Sequence, residues 1–323
     1  MRAAVLHTPG EAPSFGSHPA PTPAAGHTVV AVTAAPIVPL DLLCASGSSY
    51  FGRPATPYVP GVQGVGVVER SDVLSPGTRV WFASNAGMAP GDGGLAECCA
   101  VPDADVVPIG PDVPDGSLAA LGLSGIAAWM ALTWRGRLQP GERVLVLGAG
   151  GAVGQAAVGA AKLLGAGRVV AVCRSEEAQD RARRAGADEV VPLSGDVDSL
   201  ASRFADAGGG AVDLVIDPVF GTAATAASRV LADGGRLVNL GGASGDVAEF
   251  SSAVLRSRSA EVLGYTNNAL TAEQRRAAVT AVAEHAAAGR MAVAHELVPL
   301  GEVADAWRRQ ASGDAGVRLV LTP

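Results

Sequence analysis

Seven residues near the middle of the chain, Gly148-Ala149-Gly150-Gly151-Ala152-Val153-Gly154, are of types that can hold an anion. They follow an apolar run of strand type, residues 143–147 (RVLVL), and open a helical stretch of small residues, 152–164. Glycines let a backbone turn tightly and approach a ligand closely. A helix start offers unpaired N–H groups and a partial positive charge. Strand, glycine turn and helix in that order are the context of a dinucleotide's pyrophosphate-binding loop. The G-x-G-x-x-G register from Gly148 fails at Val153, and the register that fits is Gly148-x-x-Gly151-x-x-Gly154. A glycine-rich turn in an unrelated α/β protein would look the same if read alone. A second strand, residues 168–173, favours the dinucleotide.

The end of that second strand should set the cofactor type. A carboxylate there would hydrogen-bond the adenosine ribose and select NAD. Here Cys173 stands at that place, followed by Arg174 and Ser175. Loss of the carboxylate leaves room for a 2′-phosphate, which the Arg174 guanidinium can pair and Ser175 can hydrogen-bond. Glu176 and Glu177 oppose this by like-charge repulsion, and Arg174 as a solvated loop charge is the bland reading. The balance favours NADPH.

These residues need a scaffold, and the chain spells one out. Its 323 residues suit two domains. Hydrophobic residues are 48%, charged residues 17% and aromatic residues 4%, a globular composition rich in Gly and Ala. Residues 1–122 carry short β-type runs at 28–34, 64–69, 78–82 and 97–101, punctuated by turns such as Ser75-Pro76-Gly77. A helical stretch, 118–132, follows. From Gly141 short apolar runs (143–147, 168–173, 189–192, 212–216, 236–240) alternate with helical stretches, which predicts a parallel, doubly wound sheet. Asp217 ends the fourth of these strands as a turn cap. Residues 272–288 read as one long helix, before an ending in the apolar run 318–321. The net charge of −7 and the absence of a basic run exclude nucleic acid as the main partner. No uninterrupted apolar stretch reaches the ~20 residues of a membrane span, and the start MRAAVLHTPGE lacks a signal core. Cys44, Cys98, Cys99 and Cys173 form no CxxC and read as reduced packing thiols of a cytoplasmic protein.

The chain resembles the medium-chain dehydrogenase/reductase superfamily, in particular its zinc-free quinone oxidoreductase-like branch. The resemblance rests on the opening MRAAVLHTPGE, the segments 41–50 and 60–66, Gly93-Gly94-Leu95-Ala96-Glu97, the glycine segment and the ending Val317-Arg318-Leu319-Val320-Leu321-Thr322-Pro323. It implies an α/β fold: a doubly wound parallel Rossmann sheet inserted in a GroES-like, mostly β domain. The domains would be 1–122 (GroES-like), 123–264 (Rossmann) and 265–323 (return to the first), with the active site in the cleft between the two. It also implies cofactor contacts from Asn239-Leu240-Gly241-Gly242, from Tyr265, Thr266 and Asn267, and from Arg318, which stands where the family has a lysine near the phosphates. Pairing through sheet edges makes a homodimer the expected assembly, with residues 262–265 as the edge.

Zinc-dependent members of the family carry ligands where this chain has Val38, Val62-Gln63 and Ser124. Valine has no donor atom, a catalytic zinc needs three protein ligands, and the five histidines show no ligand spacing. No catalytic or structural zinc is therefore expected. Without a Lewis acid, the site suits acceptors that take hydride readily, such as quinones and activated enones. Tyr50 is the candidate for orienting substrate or donating a proton, with a tyrosine packed at a domain edge as the alternative. Asp41 matches a position near the cofactor cleft, with a capping carboxylate as the alternative. Ala45 and Ala127 replace polar family residues, so the pocket should favour a bulky or apolar acceptor. Two further readings stay open: a reductase of enoyl thioesters or of an enone within a biosynthetic pathway, and a nucleotide-binding sensor or structural protein without turnover.

Overall fold

The computed structural model describes residues 1–22 and 24–323. Short apolar runs of β-branched residues build the first unit. The chain runs through β1 (Arg2–Val5), β2 (Ser14–Ser17), β3 (His27–Pro36), α1 (Pro39–Ala45), β4 (Gln63–Arg70), β5 (Arg79–Ala83), β6 (Cys98–Pro102), β7 (Val106–Pro108) and α2 (Asp115–Met130). The four β-type runs read from the sequence correspond to β3, β4, β5 and β6, each within two residues at either end. Val30, Val32, Val68, Val80, Phe82 and Leu95 fill the core of this unit.

The second unit begins at Leu123. Its elements are β8 (Arg143–Leu147), α3 (Ala152–Leu163), β9 (Arg168–Cys173), α4 (Glu176–Arg184), β10 (Glu189–Pro192), α5 (Val197–Gly208), β11 (Val212–Asp217), α6 (Gly221–Ser228), β12 (Leu231–Asn239), α7 (Ser252–Ser257), β13 (Glu261–Gly264) and α8 (Ala272–Ala287). Strand–helix alternation forces parallel pairing, and the sheet order is β10-β9-β8-β11-β12-β13. Every pair in it is parallel. β8 and β11 are therefore the neighbours at which the winding reverses, where open α/β sheets bind ligands beyond the strands' carboxyl ends. Val144, Leu145, Val146 and Leu147 of β8 are fully buried. A central parallel strand covered on both faces needs such an unbroken apolar run.

The chain then adds β14 (His295–Pro299), α9 (Val303–Ser312) and β15 (Arg318–Thr322). β15 lies between β14 and β3, so these last residues return to the first unit's sheet, ordered β14-β15-β3-β4-β5-β7 with β6 also on β3. The units are Met1–Gly122 with Val293–Pro323, and Leu123–Ala292. The return thus comes at Val293 rather than at 265, because α8 packs within the second unit. Its Val279, Val282 and Ala283 are buried, and the His285 ring lies 5.4 Å from that of Trp129. The helix expected over 118–132 is α2, non-helical at Gly122 (φ 20°, ψ −120°) and followed by a π-helical turn, Ala131–Arg135. Together Asp115–Arg135 is apolar and long enough to cross a membrane, against the expectation of none, but its most apolar stretch is mostly buried within the protein. Core helices of globular folds pass the same test.

Candidate functional site

β8 delivers the chain to Gly148, whose φ of +60° favours glycine. The loop then doubles back tightly: Gly151 N donates to Gly148 O at 3.0 Å and Ala149 N to Val172 O at 3.0 Å. A β-carbon at Gly154 would collide with Ala149 Cα and Gly148 O, so the third motif glycine is needed for close approach of helix and loop. Gly151 is the N-cap of α3 and supplies no capping side chain. The first helical hydrogen bond runs from Gln155 N to Gly151 O (2.9 Å), and the amides of Ala152, Val153 and Gly154 find no acceptor among the described residues. An uncapped helix end with its glycine cradle intact fits a dinucleotide's pyrophosphate. Two donors not anticipated from the sequence fix the loop: Gln155 Nε2 (2.9 Å) and Arg181 Nε (3.1 Å) both reach Gly150 O. Arg181 lies 31 residues beyond the loop on α4, so only the fold brings it there.

At the end of β9 the Cys173 side chain is buried and Arg174 is exposed. Ser175, expected to hydrogen-bond a phosphate, is the N-cap of α4 and accepts from Ala178 N at 3.2 Å. Its hydroxyl proton is engaged by the Glu177 carboxylate, so a phosphate bound there would displace Glu177. Glu177 is held below the usual carboxylate range by its own backbone amide and by the Ser175 hydroxyl, with the Arg181 charge adding to this.

β11 ends at Asp217, the cap read from the sequence: its Oδ1 accepts from Val219 N (3.0 Å) and Phe220 N (2.7 Å). Burial raises its carboxyl despite these bonds. Val219 Cγ1 lies 2.6 Å from where a Gly148 β-carbon would be, so the ends of β8 and β11 abut. Phe220 has φ 59° and ψ −152°, a region essentially reserved for glycine. Nothing in the sequence signals this. Asn239, at the end of β12, donates from Nδ2 to Gly241 O (2.8 Å) and Asp217 O (3.2 Å), holding its own turn. Tyr265 N bonds Asn239 O at 2.9 Å, Tyr265 OH donates to Asn267 Oδ1 at 2.7 Å, and Asn267 Nδ2 donates to Leu123 O at 3.1 Å. Burial keeps the Tyr265 hydroxyl above the ordinary phenol range. The residues expected on the cofactor side are thus brought together, with their side chains largely bonded to one another.

Asp41, Tyr50 and Arg318 belong to the first unit. Asp41 is buried, and its two oxygens accept from Val38 N (2.8 Å), Gly61 N (3.1 Å) and Val62 N (2.9 Å). Of its two readings, the capping carboxylate is the one seen. Burial pushes its carboxyl up to about 6, with the three amides and the Arg318 charge opposing. Arg318, expected near the phosphates, is buried in the first unit. Its Nη1 donates to Ile37 O at 2.8 Å, and desolvation lowers its guanidinium to about 10. Tyr50 is 77% exposed with its ring 4.3 Å from that of Phe51, so it is not packed at an edge. At the positions of zinc ligands, Val38 and Val62 are buried, and Gln63 Oε1 accepts from Trp81 Nε1 at 3.1 Å. No group of three His, Cys, Asp or Glu is placed to hold a metal among the described residues. Burial pushes the Cys44 and Cys99 thiols to about 12, away from nucleophilic use.

Two family descriptions match the chain: "Alcohol dehydrogenase GroES-like domain" over residues 24–112 and "Zinc-binding dehydrogenase" over 152–284. A component of the phenolphthiocerol/phthiocerol polyketide synthase of Mycobacterium tuberculosis is 31% identical over 274 residues, covering 81% of this chain but 11% of that protein. Quinone oxidoreductase-like protein 2 of Bos taurus is 32% identical over 228 residues, 69% of this chain and 63% of that protein. The chain therefore spans about a tenth of the first relative's length and under two thirds of the second's. The quinone oxidoreductase of Thermus thermophilus, solved also with NADPH, superposes with a TM-score of 0.81 at 30% identity over all of both chains. Glycine loop, parallel sheet, GroES-like unit and these likenesses converge: the chain belongs to the medium-chain dehydrogenase/reductase superfamily and is quinone oxidoreductase-like.

Proposed function

We propose that the protein is a zinc-independent, NADPH-dependent reductase of quinones or activated enones. The observation that carries this is the uncapped start of α3 at the sheet's reversal point, with Arg174 where a carboxylate would select NAD. The amides of Ala152, Val153 and Gly154 would hold the pyrophosphate, and Arg174 with the Ser175 hydroxyl would hold the ribose 2′-phosphate. Reduced nicotinamide, when bound, supplies a hydride. Gly241 and the hydrogen-bonded Asn239, Tyr265 and Asn267 line the carboxyl ends of β12 and β13, the nicotinamide half of such a site. The exposed Tyr50 hydroxyl orients the acceptor or delivers a proton to its oxygen, and buried Asp41 holds the 61–62 turn. Valine at 38 and 62 offers a metal nothing, which supports a zinc-free site and would be checked by elemental analysis of the purified protein. The Thermus relative's NADPH complex supports the cofactor, and the quinone oxidoreductase names support the acceptor class. A cytoplasmic homodimer completes the reading, supported by four free cysteines and the open edge of β13.

The polyketide synthase relative favours a second reading, reduction of an enoyl thioester or of an enone within a biosynthetic pathway. Titration with NADPH and NADH, followed by 1,4-benzoquinone, 9,10-phenanthrenequinone, free enones and an enoyl thioester, separates the two at the reduced-nicotinamide absorbance band. Quinone-dependent oxidation supports the first reading, and thioester-only oxidation the second. Binding without oxidation leaves a nucleotide-binding sensor, and no binding of either cofactor overturns the proposal.

A further inference from the structure

Phe220 occupies a conformation that a side chain resists. Its φ of 59° and ψ of −152° lie in a region essentially limited to glycine, and Gly221 follows with φ 62°. The surroundings enforce this geometry: Asp217 Oδ1 takes the Phe220 amide at 2.7 Å, Ser244 N bonds Val219 O at 2.7 Å, and the Phe220 ring meets Phe250 edge to face, with centroids 6.1 Å apart. A glycine would meet the backbone requirement without strain, so the ring must serve something else. It does not fill the core fully, being only partly buried. It packs against a cluster that runs from Val172 and Val191 to Val215 and Val219, and Val219, its neighbour in the chain, abuts the glycine loop at Gly148. That cluster joins the ends of β9 and β10 to β11, and Arg174 directly follows β9.

We propose that the Phe220 ring, backed by Phe250, is the stacking wall for the adenine of the bound dinucleotide, and that the strained backbone is retained to present it. The inference rests on the dinucleotide reading above and assigns a residue to it. A base on one aromatic side chain gains affinity worth roughly 5- to 100-fold. The strain at Phe220 is relieved by glycine and kept by alanine, whereas the ring is lost in both.

The test is equilibrium binding of 2′-phospho-ADP-ribose, which has the adenine and no nicotinamide, by calorimetry, alongside thermal unfolding without ligand. Phe220→Gly and Phe220→Ala are each expected to weaken binding about 10-fold. Phe220→Gly should melt at or above the wild-type temperature, and above Phe220→Ala. Unchanged binding in both variants overturns the proposal. So does weakened binding in which Phe220→Gly melts below wild type, because the ring would then be holding the loop together. If wild type binds neither NADPH nor 2′-phospho-ADP-ribose, the dinucleotide reading itself is what fails.

Discussion

Arg174 is exposed at the end of β9, so its contribution to binding a 2′-phosphate is screened by salt. Arg174→Ala should weaken NADPH binding about 10-fold at low ionic strength, from a charge-assisted hydrogen bond of about 1.5 kcal/mol, and leave NADH binding unchanged. Equal losses for both cofactors, measured by calorimetry, would remove the arginine from the phosphate. Asp41 makes a different prediction. Its folded carboxyl titrates at about 6 against 3.8 when free, because it is buried. Between those values the folded state holds more protons than the unfolded one, so stability falls as pH rises through the window. The penalty is absent below the lower value, complete above the higher one, and about 3 kcal/mol in size. Urea unfolding at intervals across that window should show this slope, and Asp41→Asn should flatten it. The variant should be less stable than wild type at low pH, since the amide group cannot replace both acceptor oxygens toward Val38, Gly61 and Val62, and the deficit should shrink as pH rises and wild type takes on its buried charge. A slope unchanged in Asp41→Asn would assign it to other groups.

The contact between α3 and the loop after β8 leaves no room for a side chain at Gly154. Gly154→Val should cost about 1–3 kcal/mol by overpacking and abolish NADPH binding, because α3 is pushed off the loop whose amides it presents. Retained nanomolar-to-micromolar binding in a folded Gly154→Val protein would mean that α3 does not hold the cofactor. This contact is legible in the sequence because β8 and β9 are buried on both faces, which leaves unbroken apolar runs ending at glycine or cysteine. Where elements face solvent the signal fades. β14 is exposed at three of its five positions, and α9 carries its buried side as Val303, Ala306 and Trp307 amid charged residues. Neither announces itself as an element in the sequence. The site is legible where residue type dictates conformation, as at Gly148, and illegible where tertiary contacts override it. Phe220 is the clearest case, since its backbone is set by Asp217 and by neighbours distant in sequence. Arg181 and Arg318 show the same limit: which way a charged side chain turns depends on what the fold places beside it.

At the scale of the whole molecule, β13 ends the second unit's sheet with its outer edge unpaired among the described residues, and Val262 on it is 39% exposed. Exposed strand edges invite pairing with another chain. In the homodimer proposed above, Val262→Lys should shift sedimentation toward monomer without changing the melting of the second unit, and a wild-type monomer at micromolar concentration would remove the dimer. β15 has another consequence. It is an interior strand of the first unit's sheet, meeting β3 at Ala35 and Pro36 across nearly the full chain, and it is made after every other element described. During synthesis the second unit can close its sheet from consecutive pieces, whereas the first waits with part of β3 unpaired until β15 has emerged from the ribosome. A chain cut before Arg318 should therefore retain a protease-resistant fragment spanning the second unit and lose the first. The glycine loop would then outlive the half of the protein that was begun before it.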